Sequence, residues 1–258
     1  MILYLSATGN TRWTAESVAA AIGDSKVVNA TTLVDRGCDI ELEEGEPLGF
    51  FFPVHGWRPP LLFRRFIGKV ALSSSASYVY AVCTAGDTIG ETMDYLRADL
   101  AERGIRLDAC FDVRMPNTYV GLPFMDVDPK ILERQKIADS KSRLDFIADR
   151  IKGKAQGVFL DLKGRWQKIN SRFLGEVFVK KLVTDIRFRV DITKCIGCGR
   201  CVAACPVGDV FLAEGKTPGW VHNEKCMTCF ACYHSCPKHA IQYGWMTRGK
   251  GQYTFTQE

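Results

Sequence analysis

The stretch Cys195-Ile196-Gly197-Cys198-Gly199-Arg200-Cys201-Val202-Ala203-Ala204-Cys205-Pro206 returns as Cys226-Met227-Thr228-Cys229-Phe230-Ala231-Cys232-Tyr233-His234-Ser235-Cys236-Pro237. Both copies read C-x-x-C-x-x-C-x-x-x-C-P. Three thiols on one tight loop, with a fourth carried off by a short turn, is a spacing suited to an iron–sulfur centre. Zinc, disulfides and simple packing are the competing readings. A zinc site takes four ligands, usually from two C-x-x-C pairs or with His, and would leave the third cysteine of each run unused. Disulfides need an oxidising compartment, and nothing in the sequence directs export. The doubled spacing therefore points to two 4Fe-4S clusters.

At all eight cysteines and both prolines the sequence resembles the bacterial two-cluster ferredoxins. The resemblance implies a reciprocal ligand set: Cys195, Cys198 and Cys201 with Cys236 for the first cluster, and Cys226, Cys229 and Cys232 with Cys205 for the second. Eight of the eleven cysteines of the 258-residue chain fall within 42 residues. A segment that small buries little apolar surface, so cluster assembly is expected to supply much of its folding free energy.

Residues 1–150 alternate between strand and helix patterns, with strand candidates at 2–5, 27–29, 48–52, 78–83 and 107–113. Ile89, Met93, Leu96 and Leu100 form a helical stripe. A longer helix over about 129–152 turns Ile137, Leu144, Ile147 and Ile151 inward. This alternation predicts an α/β domain with a parallel sheet covered on both faces. The first strand runs into Ser6-Ala7-Thr8-Gly9-Asn10-Thr11 and then a helix to about Ile22. Hydroxyls, a turn-permitting glycine and free helix-start amides make this an anion site. An ordinary N-capped helix is the plainer reading. Neither G-x-G-x-x-G nor G-K-[ST] is present, which argues against a dinucleotide fingerprint and a P-loop.

Ser6, Thr8, Gly9 and Thr11 match the [ST]-x-T-G-x-T phosphate loop of flavodoxins, which this part of the chain resembles over roughly 150 residues. That resemblance implies a doubly wound sheet of five parallel strands and a bound FMN at the carboxyl ends of strands one and three. It also implies that Val54, His55, Gly56 and Trp57 after strand three, and Thr84, Ala85, Gly86 and Asp87 after strand four, meet the flavin ring. Trp57 is the stacking candidate, with a surface aromatic over Pro59 and Pro60 as the alternative. The second loop has no aromatic, which leaves one ring face open, or covered by Tyr119, by the cluster domain or by a substrate. A loop histidine is more often solvated, and His55 is read so; 115–119 is read as a rigid turn. Cys83 and Cys110 are read as apolar strand fillers.

The sequence divides into a flavodoxin-like domain (1–151), a basic connecting segment (152–186), a small α+β ferredoxin-type domain (187–250) and a tail (251–258). Over 152–189 there are ten Lys or Arg against three acidic residues. Trp166, Ile169, Phe173, Val177, Phe178 and Leu182 fall on one helical face. That face is expected to clamp the cluster domain onto the first domain or onto a second protomer; membranes and acidic partners are the alternatives. No signal peptide opens the chain and no run of roughly twenty apolar residues occurs, so a cytoplasmic protein is expected. The formal charge is +5, but the loaded clusters subtract about four and a flavin phosphate up to about two more, which leaves the protein near neutral, and nucleic acid is not an expected partner.

Taken together, the chain resembles flavodoxin/ferredoxin fusions, electron-transfer flavoproteins of anaerobes. The resemblance implies electron exchange with ferredoxin, flavodoxin or a reductase through two 4Fe-4S clusters and FMN. The alternative makes FMN a catalytic centre that reduces a quinone, nitro compound or enone.

Overall fold

The computed structural model describes residues 1–24, 26–34 and 38–255. Residues 256–258, the end of the expected tail, lie outside them. The central sheet is built from β1 (Ile2–Tyr4), β2 (Val27–Asn29), β3 (Leu48–Pro53), β4 (Val79–Ala85), β5 (Ala109–Arg114) and β6 (Gly157–Phe159), in the order β2-β1-β3-β4-β5-β6. Every neighbouring pair is parallel. The crossovers are α1 (Asn10–Ile22), α2 (Leu61–Ile67), α3 (Thr92–Ala101) and α4 (Lys130–Lys152).

Successive residues of a strand point to opposite faces, and a parallel sheet buries both. Phe50 and Phe52 of β3 therefore pack with Phe63, Phe66, Met93 and Leu96 of α2 and α3. Phe51 lies on the other face with Val18, Leu144 and Ile147 of α1 and α4. The helical stripe read from the sequence is buried at Ile89, Met93, Leu96 and Leu100; on α4, Leu144, Ile147 and Ile151 are buried while Ile137 is half-buried. The fillers Cys83 and Cys110 are buried in the same sheet, and burial pushes both thiols up.

The sheet has six strands rather than the five expected. β6 falls in the segment read as a connection, and it is too short, with too little apolar alternation, to announce itself. A long-range pair holds it in place. The buried carboxylate of Asp112 accepts hydrogen bonds from Arg143 Nη2 (2.9 Å) and from the amides of Asp161 (3.1 Å) and Leu162 (2.7 Å), and Arg143 also donates to Phe159 O at 2.6 Å. Burial pushes the Asp112 carboxyl up even so. Arg143→Ala strips the counter-charge from a buried acid and is expected to cost about 3–5 kcal/mol, read from the urea midpoint of unfolding.

The C-terminal domain pairs β7 (Phe188–Val190) with β10 (Ile241–Tyr243), and β8 (Val210–Leu212) with β9 (Pro218–Trp220), both antiparallel. Phe188, Trp220, Phe230, Tyr233 and Tyr243 form its core, with Val120 of the first domain packed among them. No helix among the described residues is long and apolar enough to cross a membrane.

Candidate functional site

A cleft opens at the carboxyl ends of β1, β3 and β4, where a doubly wound sheet holds its ligands. Ser6, Ala7, Thr8, Asn10 and Thr11 line one end; Val54 and His55, then Thr84, Ala85 and Gly86, line the walls; Met115 to Tyr119 complete them. The far wall belongs to the C-terminal domain: Met227, Thr228 and Cys229 of the second cysteine run. Two domains thus share one cleft, an arrangement no local pattern in the sequence could show.

The loop Ser6 to Thr11 is shaped for an anion. Gly9 sits at φ 102°, and the amides of Asn10 and Thr11 head α1 without intrahelical acceptors. The side chains divide their work. Asn10 donates to Pro116 O (3.0 Å) and accepts from Tyr253 Oη (2.6 Å), so it holds the loop's frame. The Thr11 and Thr84 hydroxyls share a hydrogen bond at 2.8 Å across the cleft. Ser6 Oγ is buried with no partner.

Two more such atoms, His55 Nε2 and Tyr119 Oη, belong to residues of the cleft wall, although the Tyr119 hydroxyl itself lies beside Gly121 and Phe230. Buried polar atoms are nearly always satisfied, so the orphaned Ser6 hydroxyl at the anion loop marks a place built for a polar ligand. His55 is not the solvated histidine expected. Its ring packs edge-on to Phe178 and Tyr119 (centroids 4.8 and 6.4 Å), and burial pulls its pKa from 6.5 down to about 4. The neutral ring's contribution to stability is complete above 6.5 and is lost as pH falls toward 4. Urea midpoints followed downward from neutral pH are expected to drop less in His55→Asn than in the parent.

Gly56, Trp57 and Asp87 do not line the cleft. Trp57 is turned away: its Nε1 donates to Thr88 Oγ1 at 3.0 Å, so the stacking role expected of it does not fit. Gly56 is required elsewhere, since a Cβ there would lie 2.5 Å from the Phe178 ring. Gly86 does belong to the wall. Its missing side chain admits Asn117 to within 3.0 Å of where a Cβ would stand, and its carbonyl accepts from Lys136 Nζ at 2.9 Å. The segment 115–119, read as a turn, is cleft wall.

No disulfide joins the cysteines of the two runs, and no three Cys, His, Asp or Glu side chains among the described residues are arranged to hold a single metal ion. The thiols fall into two sets. Cys201 lies close enough to Cys236 and Cys198 that their charges add to burial in pushing its thiol up. Cys232 is influenced in the same way by Cys229, Cys226 and Cys205. Cys198 is exposed, whereas Cys229 faces the cleft and burial pushes its thiol up to about 11.

The two loops share a backbone but not a sequence. Gly197 and Gly199 take φ 63° and 72°; at the matching places Thr228 and Phe230 take 51° and 60°. Left-handed backbone costs an ordinary residue about 1–2 kcal/mol. The second loop offsets this through its side chains. Thr228 Oγ1 accepts from the Thr184 amide (2.7 Å) and donates to its carbonyl (3.1 Å), and Phe230 fills the domain core. Next to it, His234 Nε2 meets Thr118 O at 2.8 Å while its Nδ1 accepts from the Tyr253 amide at 3.2 Å. A neutral imidazole thus pins the cleft wall, the cluster loop and the chain's end together, and its pKa is pulled down to about 4 by burial.

Comparison with known proteins finds matches in two parts of the chain. The family model described as "4Fe-4S dicluster domain" matches residues 187–237. An uncharacterized ferredoxin of Methanocaldococcus jannaschii is 39% identical over 54 residues, 20% of this chain and 70% of that protein. Ferredoxin-3 of Nostoc sp. is 37% identical over 71 residues, 21% of this chain and 73% of that one. One component of an ion-translocating oxidoreductase complex of Methanosarcina acetivorans is 42% identical over 52 residues, 19% of this chain, and the match spans only 17% of that component. A flavodoxin from Streptococcus pneumoniae overlays on 60% of this chain and 97% of its own at TM-score 0.39 and 19% identity. The strand order 2-1-3-4-5, extended by a sixth edge strand, is itself the flavodoxin-like order. The chain belongs to the 4Fe-4S dicluster ferredoxins through its C-terminal domain, which follows a flavodoxin-like domain in an iron–sulfur protein of electron transfer.

Proposed function

We propose that the chain passes electrons between external one-electron carriers and an FMN held in the shared cleft, by way of two 4Fe-4S clusters. The observation that carries this reading is the presence of Met227, Thr228 and Cys229 in the wall of the cleft that begins at the anion loop. Clusters supply one-electron chemistry at low potential, and a flavin supplies both one- and two-electron chemistry. The chain's own residues supply the placement. The Ser6 hydroxyl and the amides at the start of α1 are suited to the phosphate, and the wall residues His55 and Tyr119 to the ring. The cysteine sets follow the reciprocal pattern, Cys195, Cys198 and Cys201 with Cys236, and Cys226, Cys229 and Cys232 with Cys205.

The exposed Cys198 makes the first cluster the outward terminal, where ferredoxin, flavodoxin or a reductase exchanges electrons. The second cluster is the inward one. Tyr119 and the cluster loop cover the wall that the sequence left open, which favours a relay over a reductase of small organic molecules. The test is anaerobic mixing of the reconstituted protein with a chemically reduced low-potential ferredoxin. Cluster absorbance is expected to change first and flavin absorbance second. A flavin that no carrier reduces, but that a quinone, nitro compound or enone reoxidises rapidly, would replace the relay with the reductase reading.

A further inference from the structure

The helical stretch 167–181, π-wound over Ile169–Leu174 and α-helical over Gly175–Lys181, is mounted with its apolar side outward. Phe178 does turn in, against His55 and Gly56. The rest of the inner side is polar and tightly bonded. Arg58 donates to Ser171 O at 2.7 Å and pairs with Glu176 at 2.5 Å; Ser171 Oγ donates to Trp57 O and accepts from the Glu91 amide; Arg172 grips Glu91 through two bonds of 2.7 and 2.8 Å. Gly175 brings the helix onto the loop at backbone distance, since a Cβ there would meet Gly56 O at 2.6 Å. The helix is thus fixed to the first domain by Phe178 and by polar bonds, and the apolar face expected to clamp the cluster domain does not do so. Trp166 (59% exposed), Ile169 (52%), Phe173 (66%) and Val177 (45%) face away from the protein.

A contiguous outward apolar stripe on a helix fixed by its polar side is an interaction surface. Its charge identifies the occupant. Lys163, Arg165, Lys168 and Lys181 flank the stripe, all exposed, and none makes an ion pair among the described residues. The acids of the segment are engaged: Glu176 with Arg58 and Lys180, and Asp161 with Arg143. Trp and Phe beside unpaired lysines suit the boundary between headgroups and acyl chains, where aromatic rings enter and long cations reach back to phosphate.

We infer that residues 167–181, with Trp166 at their head, form an interfacial helix that docks the protein on an anionic lipid surface. No span is involved; the helix lies in the plane of the interface. The test is flotation of the fully reconstituted protein with vesicles of phosphatidylcholine containing about one-third phosphatidylglycerol, against phosphatidylcholine alone. Binding is expected to the anionic vesicles only and to weaken with salt. Removing charge with Lys168→Gln and Lys181→Gln is expected to weaken it about fivefold each. Ile169→Ser with Phe173→Ser is expected to weaken it by at least about tenfold. Because these side chains face outward, iron and flavin content should match the parent and serve as the folding control. Indifference of the parent to anionic vesicles would overturn the inference. So would a parent dimer that the Ile169/Phe173 variant converts to monomer without any vesicle binding, which would assign the stripe to a second copy.

Discussion

Cys232→Ala is expected to halve the iron content, from about eight to about four atoms per chain, and to disconnect the flavin from external carriers. Cys232 is buried beside Cys205, Cys226 and Cys229, and its loop neighbours Met227 and Thr228 stand in the cleft wall. Losing the second cluster removes the only redox centre whose ligands reach the cleft among the described residues. The first cluster, with Cys198 exposed, still accepts electrons, so EPR of the reduced variant should show one cluster while flavin absorbance holds near its oxidised level. Flavin binding itself should survive, because the anion loop lies on β1 and α1. Cys198→Ala makes the opposite cut: the first cluster is lost, the inner one remains, and flavin reduction slows at the entry step. A Cys232→Ala protein whose flavin is reduced at the parent rate would mean that electrons enter the cleft directly.

The second large effect is expected from Gly9→Val. Gly9 holds φ 102°, and a Cβ there would stand 2.9 Å from the Cβ of Phe255 and 3.3 Å from its carbonyl oxygen. That contact is part of a strap. Phe255 donates its amide to Thr8 O at 2.8 Å and stacks on Trp13 with centroids 4.8 Å apart, while Tyr253 bonds Asn10. A branched side chain both strains the backbone and pushes the strap off the loop. The combined cost of about 2 kcal/mol or more corresponds to a rise of at least about thirtyfold in the FMN dissociation constant. Flavin fluorescence quenching on titration measures this, and iron content should be unchanged. Unaltered flavin retention would remove the loop from the site.

What the sequence revealed followed from the range of each interaction. The cysteine runs were legible because each spacing pattern is written within twelve residues, and β3 was legible because a central parallel strand is apolar on both faces. β6 was not, since Gly157–Phe159 depends on Asp112 and Arg143, which are distant in the chain. The cleft was half legible. Ser6 to Thr11 lie on one turn, whereas the roles of His55, Tyr119 and Met227 to Cys229 exist only once two domains meet. Gly56 and Trp57 stand outside the cleft lining: the helix packed against their loop uses Gly56 through Phe178 and Gly175, and Trp57 bonds Thr88, neither of which the loop pattern announces. The one signal that could have pointed to the second run as the inward one is chemical: Thr228 and Phe230 stand where the first run has Gly197 and Gly199. Side chains held at left-handed backbone imply something to pack against.

The most direct measurement of the central claim is an anaerobic reductive titration of the reconstituted protein, with iron, sulfide and FMN quantified first and with flavin absorbance and cluster EPR followed together. The account predicts about eight irons and one FMN per chain, with clusters and flavin titrating in the same protein. A protein that holds its clusters and titrates them, yet retains no flavin at the loop Ser6 to Thr11, would contradict it.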